Sequence, residues 1–427
     1  MNSSEILRTD EKGKASVTLG DVIRQTRNNY PDPRFRPHIY EQTPHYTIAD
    51  INPSPYGFWP TADGIGTKPE LAERLYTESL KNTISKPEFF ENLAFDTLAM
   101  IDGDEARFGR YMVGVAEIID MNNAEDKNVI NALASGLKKA CDEGQFALLN
   151  GETAELGYRT SGYGNTRINW NAVGISINNP EKLILGKDLQ PGQPVVAFRE
   201  KSIRSNGLSK ARTILETAYF ISLGLVSKNE HVLNKLEEKG VIFDANTSVK
   251  LLPALAEIFG HDVMEQALIP WHTEFPEIVK QLLMPSKLYG PIIREAQGKI
   301  DEPRKIKMIT AAHITGGGIP EKAKRMVENK GLGISLDYVF PDPEGVTSLL
   351  QLAKNFPEDV RKKIKIDDRI ACEQWNRGIG FIVVTENKKE AKKLIEIADK
   401  MNCETAIAGE IIDKRQISWR GYNWQYG

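Results

Sequence analysis

Cysteine is scarce in this 427-residue chain: Cys141, Cys372 and Cys403 stand far apart and form no CxxC pair. That spacing excludes a disulfide scaffold and a zinc knuckle, and makes a reducing compartment, the cytoplasm, the expectation. All three read as small core residues. The six histidines show no HxxxH or HxH spacing, so a transition-metal site is not expected. No stretch approaches the roughly 20 apolar residues that span a bilayer. The polar opening, Met1 to Lys14, holds no apolar run of the signal-peptide kind. An excess of one charge is missing too. Lys and Arg number 55 against 58 Asp and Glu, and the net charge of −3 argues against a nucleic-acid partner held by overall charge. A Walker loop, GxxxxGK[ST], is also absent.

What is present is the composition of a soluble globular protein, 41% apolar and 26% charged, in a chain long enough for two domains. Residues 1–45 are polar and broken by Pro31, Pro33, Pro37 and Pro44, which reads as an irregular arm. Helix-spaced apolar residues from Phe89 to Ile101 precede a loop expected at Asp102-Gly-Asp104 and a strand from Tyr111 to Ile119. Asp126 is placed to cap a helix with Ile130, Leu133, Leu137 and Cys141 on one face. A short strand, Phe146 to Leu149, then leads into a loop, Asn150 to Glu155, and Trp170 to Ile177 reads as another strand. Turn formers between Asn178 and Pro194 mark a boundary between domains of 46–180 and 181–427. The second half again alternates strands and helices, and a mostly helical stretch of about 213–284 is too long for an ordinary loop. The fold class is therefore α/β in both halves.

The chemistry concentrates in the loops. Asp63-Gly-Ile-Gly-Thr-Lys68 leaves a strand with Gly64 and Gly66 free to bend the backbone, so Asp63 can hold Mg²⁺ and Lys68 can neutralise a phosphate. A plain turn with a capping aspartate reads from the same residues. Asp102 and Asp104, and Glu152 and Glu155, are further acids beside strand ends, where ligands of α/β sheets gather. Taken singly, each is equally a solvated loop acid. Thr315-Gly316-Gly317-Gly318 and Ser205-Asn206-Gly207 lie between a strand and a helix and offer backbone N–H groups to a phosphate, or simply turn the chain. His313 reads either as a packed histidine or as a proton carrier.

In order, these segments resemble the aminoimidazole ribonucleotide synthetase (phosphoribosylformylglycinamidine cyclo-ligase) family. The matching segments are Asp63-Gly-Ile-Gly-Thr-Lys68, Gly151-Glu-Thr-Ala-Glu155, Ser205-Asn-Gly207, Pro285-Ser-Lys-Leu-Tyr289, Ala312-His-Ile-Thr-Gly-Gly-Gly318 and Trp375-Asn-Arg-Gly-Ile-Gly380. The resemblance implies an ATP-binding N-terminal domain that builds a shared β-barrel in a homodimer, and a C-terminal α/β sandwich. It implies ATP-driven ring closure of formylglycinamidine ribonucleotide, with ATP and Mg²⁺ as cofactors. On this resemblance Asp63, Asp104 and Glu152 would bind the metal. Asp63, Lys68 and His313 would be catalytic. Gly64, Gly66, Thr67, Gly151, Thr153, Ser205, Asn206, Gly207 and Thr315 to Gly318 would surround the phosphates of ATP or of the ribonucleotide. No nucleic acid or membrane partner is implied. The chain departs from the family at Gly103, where asparagine is usual, at Arg204, where histidine is common, and at Pro55-Tyr-Gly-Phe58, where a glycine-rich lid is usual. A further departure is Ser286-Lys287, where the family has threonine and arginine, and the helical stretch of about 213–284 reads as a surface insertion. A sibling enzyme with another substrate, or a nucleotide-binding relative without activity, are the alternative readings.

Overall fold

The computed structural model describes residues 37–42, 47–51, 56–76, 87–160, 162, 166–222, 274–337 and 339–427. The first half builds one sheet. Its elements are β1 (Pro37–Gln42), β2 (Thr47–Ile51), β3 (Gly57–Gly64), α1 (Lys68–Leu75), α2 (Glu88–Ala106), β4 (Tyr111–Met121), α3 (Lys127–Gly144), β5 (Ala147–Glu155) and β6 (Ile168–Asn178). The strand order is β1-β2-β3-β6-β4-β5. Only β4 and β5 pair in parallel, because the crossover helix α3 returns the chain to the same end. That helix begins where Asp126 accepts hydrogen bonds from the backbone N–H of Asn128 (3.0 Å) and Val129 (3.4 Å). It buries Val129, Ala132, Leu133, Leu137 and Ala140, a single stripe at helical spacing. The arm expected to be irregular contains a strand, since Pro37–Gln42 pairs antiparallel with Thr47–Ile51.

The second half contributes β7 (Pro194–Arg199), α4 (Leu208–Ser222), α5 (Pro276–Leu282), α6 (Gly290–Gln297), β8 (Met308–His313), α7 (Gly318–Val327), β9 (Gly333–Leu336), α8 (Glu344–Lys354), α9 (Glu358–Ile364), α10 (Asp368–Gln374), β10 (Ile379–Thr385), α11 (Lys388–Lys400), β11 (Thr405–Ile412), β12 (Gln416–Trp419) and β13 (Tyr422–Gln425). The sheet order is β13-β12-β9-β11-β7-β10-β8. Strands β8 and β10 are buried at every position, as expected of strands covered on both faces. One apolar cluster joins Ile319, Ala323 and Val327 of α7 to the sheet, and another joins Ile292, Ile293 and Ala296 of α6 with Ala391, Leu394 and Ala398 of α11. The third and largest runs across both halves, from Leu93, Leu98 and Trp170 to Leu208, Leu282 and Trp375. The expected helical stretch is helical at its described ends, α4 and α5, and its centre, 223–273, lies outside the described residues.

Two local expectations are corrected. Asp102, Gly103 and Asp104 form the end of α2 rather than a loop. The Asp102 carboxylate accepts a 2.7 Å bond from the Gly290 N–H at the start of α6 and lies 3.7 Å from Arg294, so tertiary partners hold residues that locally favour a turn. Residues Asn150–Glu155 continue β5 rather than leaving it. Their polarity reflects an exposed edge strand.

Candidate functional site

Asp63 is the penultimate residue of β3, half-buried, and its Oδ1 accepts a 2.7 Å bond from the Gly64 N–H. The turn beyond it is pinned by Ile65 N–H donating to the Trp170 carbonyl at 3.0 Å. Gly66 holds φ +70°, a conformation glycine adopts without strain. Thr67 precedes α1 and is exposed.

Lys68 turns the other way. Its Nζ lies 2.7 Å from Asp96 Oδ2, with both side chains fully buried, and donates to the Met284 carbonyl at 2.8 Å. Ser286 donates to the other oxygen of Asp96. A buried ammonium needs this full set of partners. Burial pulls the Lys68 pKa down and pushes that of Asp96 up, each opposed by the other's charge. Lys68 therefore ties α1 to α2 and the start of the Pro285 segment, and is not brought to Asp63.

Asp104, in the last turn of α2, is brought there. Burial pushes the Asp63 carboxyl up to about 6, the Asp104 charge adds to the rise, and Gly64 and Lys322 oppose it. Burial also works against the Asp104 carboxylate, but Arg107, His313 and Lys322 outweigh it and hold its pKa below the usual range. Lys322, on α7, is itself pulled down to about 8, by burial first and then by Arg325. Sequence reading missed Lys322. Its only signal is a lysine in the second turn of the helix that follows the glycine triplet.

His313 ends β8 and is buried. Its Nδ1 lies 3.0 Å from Asp104 Oδ1 and its Nε2 lies 2.6 Å from Arg204 Nη2. A guanidinium has only donors, so Nε2 accepts and Nδ1 carries the proton, donating it to Asp104. Burial, and next the Arg204 charge, lower the His313 pKa to about 4 against the pull of Asp104. Arg204 is buried at φ +63° and held by Glu200 Oε2 at 2.7 Å and the carbonyls of Ala99 (3.1 Å) and Lys287 (3.2 Å). The result is a line, Glu200–Arg204–His313, buried throughout and ending on the part-exposed Asp104, that fixes one carboxylate of the site. Gly103 makes room for it, since a Cβ there would lie 2.6 Å from the imidazole ring.

Around Asp63 the sheet forms a cavity of about 650 Å³ over Ala62–Gly64, Ala116–Ile118, Asn150–Glu152 and Asn171–Val173. Pairing sets Asp63 opposite Ala172, Ala172 opposite Glu117, and Glu117 opposite Gly151; the next row is Gly64, Asn171, Ile118 and Glu152. Paired residues share a face and successive rows alternate. Asp63 thus shares the face of buried Glu117, whereas Glu152 shares that of exposed Ile118, with Thr153 exposed beyond it. The expected trio Asp63, Asp104 and Glu152 is therefore split, and among the described residues no three His, Cys, Asp or Glu side chains are grouped to hold a metal ion. Glu117 was not anticipated. Burial pushes its carboxyl up to about 7, and its Oε2 is buried with no hydrogen-bond partner. An acid at an inward position of an alternating strand is the signal that was available.

The glycine-bearing loops pack against each other more than they open to a ligand. Gly207 (φ +72°) leaves no space for a Cβ beside the Trp375 ring, and Gly318 (φ +62°) none beside the Cys372 carbonyl. Trp375 Nε1 donates to the Gly207 carbonyl at 3.1 Å and Asn376 Nδ2 to that of Ser202 at 2.9 Å. Ser205, Asn206, Thr315, Gly316 and Gly317 are half-buried. The Glu321 carboxylate folds against Gly317.

Fold and site together define a mixed α/β protein whose two sheets bring Asp63, Asp104 and Lys322 into one electrostatic group. Residues 276–420 match the family model described as "AIR synthase related protein, C-terminal domain". Over most of its length the chain is similar to phosphoribosylformylglycinamidine cyclo-ligases. That of Methanococcus maripaludis is 25% identical over 355 residues, 83% of this chain and 78% of that one. That of Methanocaldococcus jannaschii is 23% identical over 359 residues, 84% and 79%. Among solved structures, the thiamine-monophosphate kinase from Stenotrophomonas maltophilia aligns with a TM-score of 0.47 at 14% identity, covering 94% of this chain and 95% of that one.

Proposed function

We propose that this chain is the ATP-dependent cyclo-ligase that converts formylglycinamidine ribonucleotide to aminoimidazole ribonucleotide, ADP and phosphate. The observation that carries this reading is the electrostatic coupling of Asp63 with Asp104 and Lys322, two carboxylates and a cation, with Asp63 in the wall of an open cavity. The relatives' names support the choice of reaction. A formamide oxygen is a poor leaving group, and transfer of a phosphoryl group to it makes it a good one. The neighbouring amidine nitrogen then bonds to the same carbon, the C–O bond breaks, phosphate leaves, and the nitrogen gives up its proton as the ring closes. Such transfer depends on positioning and charge neutralisation rather than on a protein nucleophile.

Asp63 and Asp104 fit Mg²⁺, which accepts few carboxylates and completes its shell with phosphate oxygens and water. It would supply neutralisation of phosphate charge. Lys322 adds a positive charge to the same place. His313 positions Asp104, since both its nitrogens are engaged. Strand β5 is the edge through which a homodimer would close. The departures at Gly103 and Arg204 favour a second reading, a sibling ATP-dependent enzyme with another substrate.

The test is turnover of purified protein with Mg-ATP and formylglycinamidine ribonucleotide, measuring ADP and the imidazole product together. Both should form, and Asp63→Asn should cut turnover by about a hundredfold or more while thermal unfolding stays cooperative. Near-normal activity in that variant removes Asp63 from the mechanism, and ADP without ring product selects the sibling reading. A carboxyl raised to about 6 must lose its proton to meet a cation. Mg-ATP affinity should therefore rise between pH 5 and pH 7 in the wild type, with proton release seen calorimetrically near pH 6 and absent in Asp63→Asn.

A further inference from the structure

A second cavity, of about 230 Å³, lies between the end of α2, residues 184–187, strand β8 and helix α7. Its charged lining is Arg107, Lys187, Lys322, Arg325 and Lys330, and no carboxylate lines it. In a chain of net charge −3 that is a local concentration of one sign. Two of these cations have acidic partners: Arg107 lies 3.6 Å from Asp104, and Arg325 pairs with Glu321. Lys187, Lys322 and Lys330 form no ion pair among the described residues. Burial and Arg325 already lower the Lys322 pKa, so the cations repel one another, and an anion between them relieves that repulsion. Thr310 and the His313 segment of β8 form the floor. The volume is below the roughly 300–1,000 Å³ of pockets that enclose a whole ligand, so it suits one phosphate and the sugar that carries it.

We propose that this basic cavity, with Lys322 in its wall, binds the phosphate group of a phosphorylated sugar as a site separate from the Asp63 cavity. It rests on the proposed function only in naming the sugar, because the substrate of that reaction carries a ribose 5-phosphate. Free phosphate offers the same group, and the probes separate the two sources.

The experiment is calorimetric titration of the full chain with ribose 5-phosphate, inorganic phosphate and ribose, without ATP. Ribose 5-phosphate should bind and ribose should not. The combined variant Lys187→Glu/Lys330→Glu, which changes two exposed side chains, should weaken binding by about tenfold or more. Lys322→Gln should weaken it as well, while the distant Lys139→Gln binds as the wild type does. Inorganic phosphate binding as tightly as the ester, with the same losses, supports the site and assigns it to free phosphate. No binding of either probe to the wild type, or equal binding by the Lys187/Lys330 variant, overturns the proposal. A chain that binds ribose 5-phosphate this way yet never turns over ATP keeps the cavity and loses the proposed reaction. Turnover on the ribonucleotide with ester binding indifferent to Lys187 and Lys330 does the reverse.

Discussion

His313 shows how one residue's chemistry is set by three others. Arg204 donates to Nε2 at 2.6 Å, so the imidazole stays neutral and its Nδ1–H is committed to Asp104. Two of the departures noted in the sequence meet here, since Arg204 supplies the donor and Gly103 leaves the space the ring occupies. A methyl group added by Gly103→Ala would lie 2.6 Å from the ring and force it to move. We expect that variant to lose about 1–3 kcal/mol in urea unfolding, with turnover falling as Asp104 loses its partner. A loss under about 0.5 kcal/mol with unchanged turnover would show that the ring is not held as described. None of this was legible beforehand. Asp104 and His313 are 209 positions apart, and Arg204 and His313 are 109 apart.

Among the elements, those with strong periodicity were legible and those with turn-forming residues were not. The helix from Lys127 with its Asp126 cap was readable because apolar spacing and capping chemistry are both local. Replacing that cap, Asp126→Ala, should cost about 1 kcal/mol, read as a lower denaturation midpoint at constant slope, and no change would mean that the two N–H groups find other partners. The end of α2 was read as a loop because aspartate and glycine favour turns, yet Gly290, Arg294 and His313 reward a helix there. Strand β5 was cut short for the related reason that an edge strand carries polar residues, like a loop. That error decides a chemical question. As a strand, the segment commits Glu152 to the face opposite Asp63, whereas a loop would leave it free to turn inward.

On the scale of the whole molecule, one apolar cluster runs from the helices of the first sheet into the second half, so the boundary near residue 180 is a division of sheets within a shared core. The other large feature is the surface left bare beside β5. Leu149 is 59% exposed and Leu148 48% on this edge strand, and Ile118 on neighbouring β4 is 47% exposed. Such an edge is a template for pairing with another chain, and a second copy of this chain is the proposed occupant. Leu149→Arg should then convert a dimer into a monomer in light scattering at micromolar concentration. A wild type already monomeric there would end that proposal.

By itself the sequence determined the α/β class and the order of the acid- and glycine-bearing segments, from which the proposed chemistry was read, because periodicity, capping and motif spacing act over a few residues. Only the tertiary structure decided which of those residues meet. It joined Asp63 to Asp104 and Lys322, buried Lys68 against Asp96, turned Glu152 to the far face and brought Glu117 to the near one. The physical reason is that a buried charge takes whatever partner packing delivers, and packing joins segments as far apart as Lys68 and Met284, 216 positions.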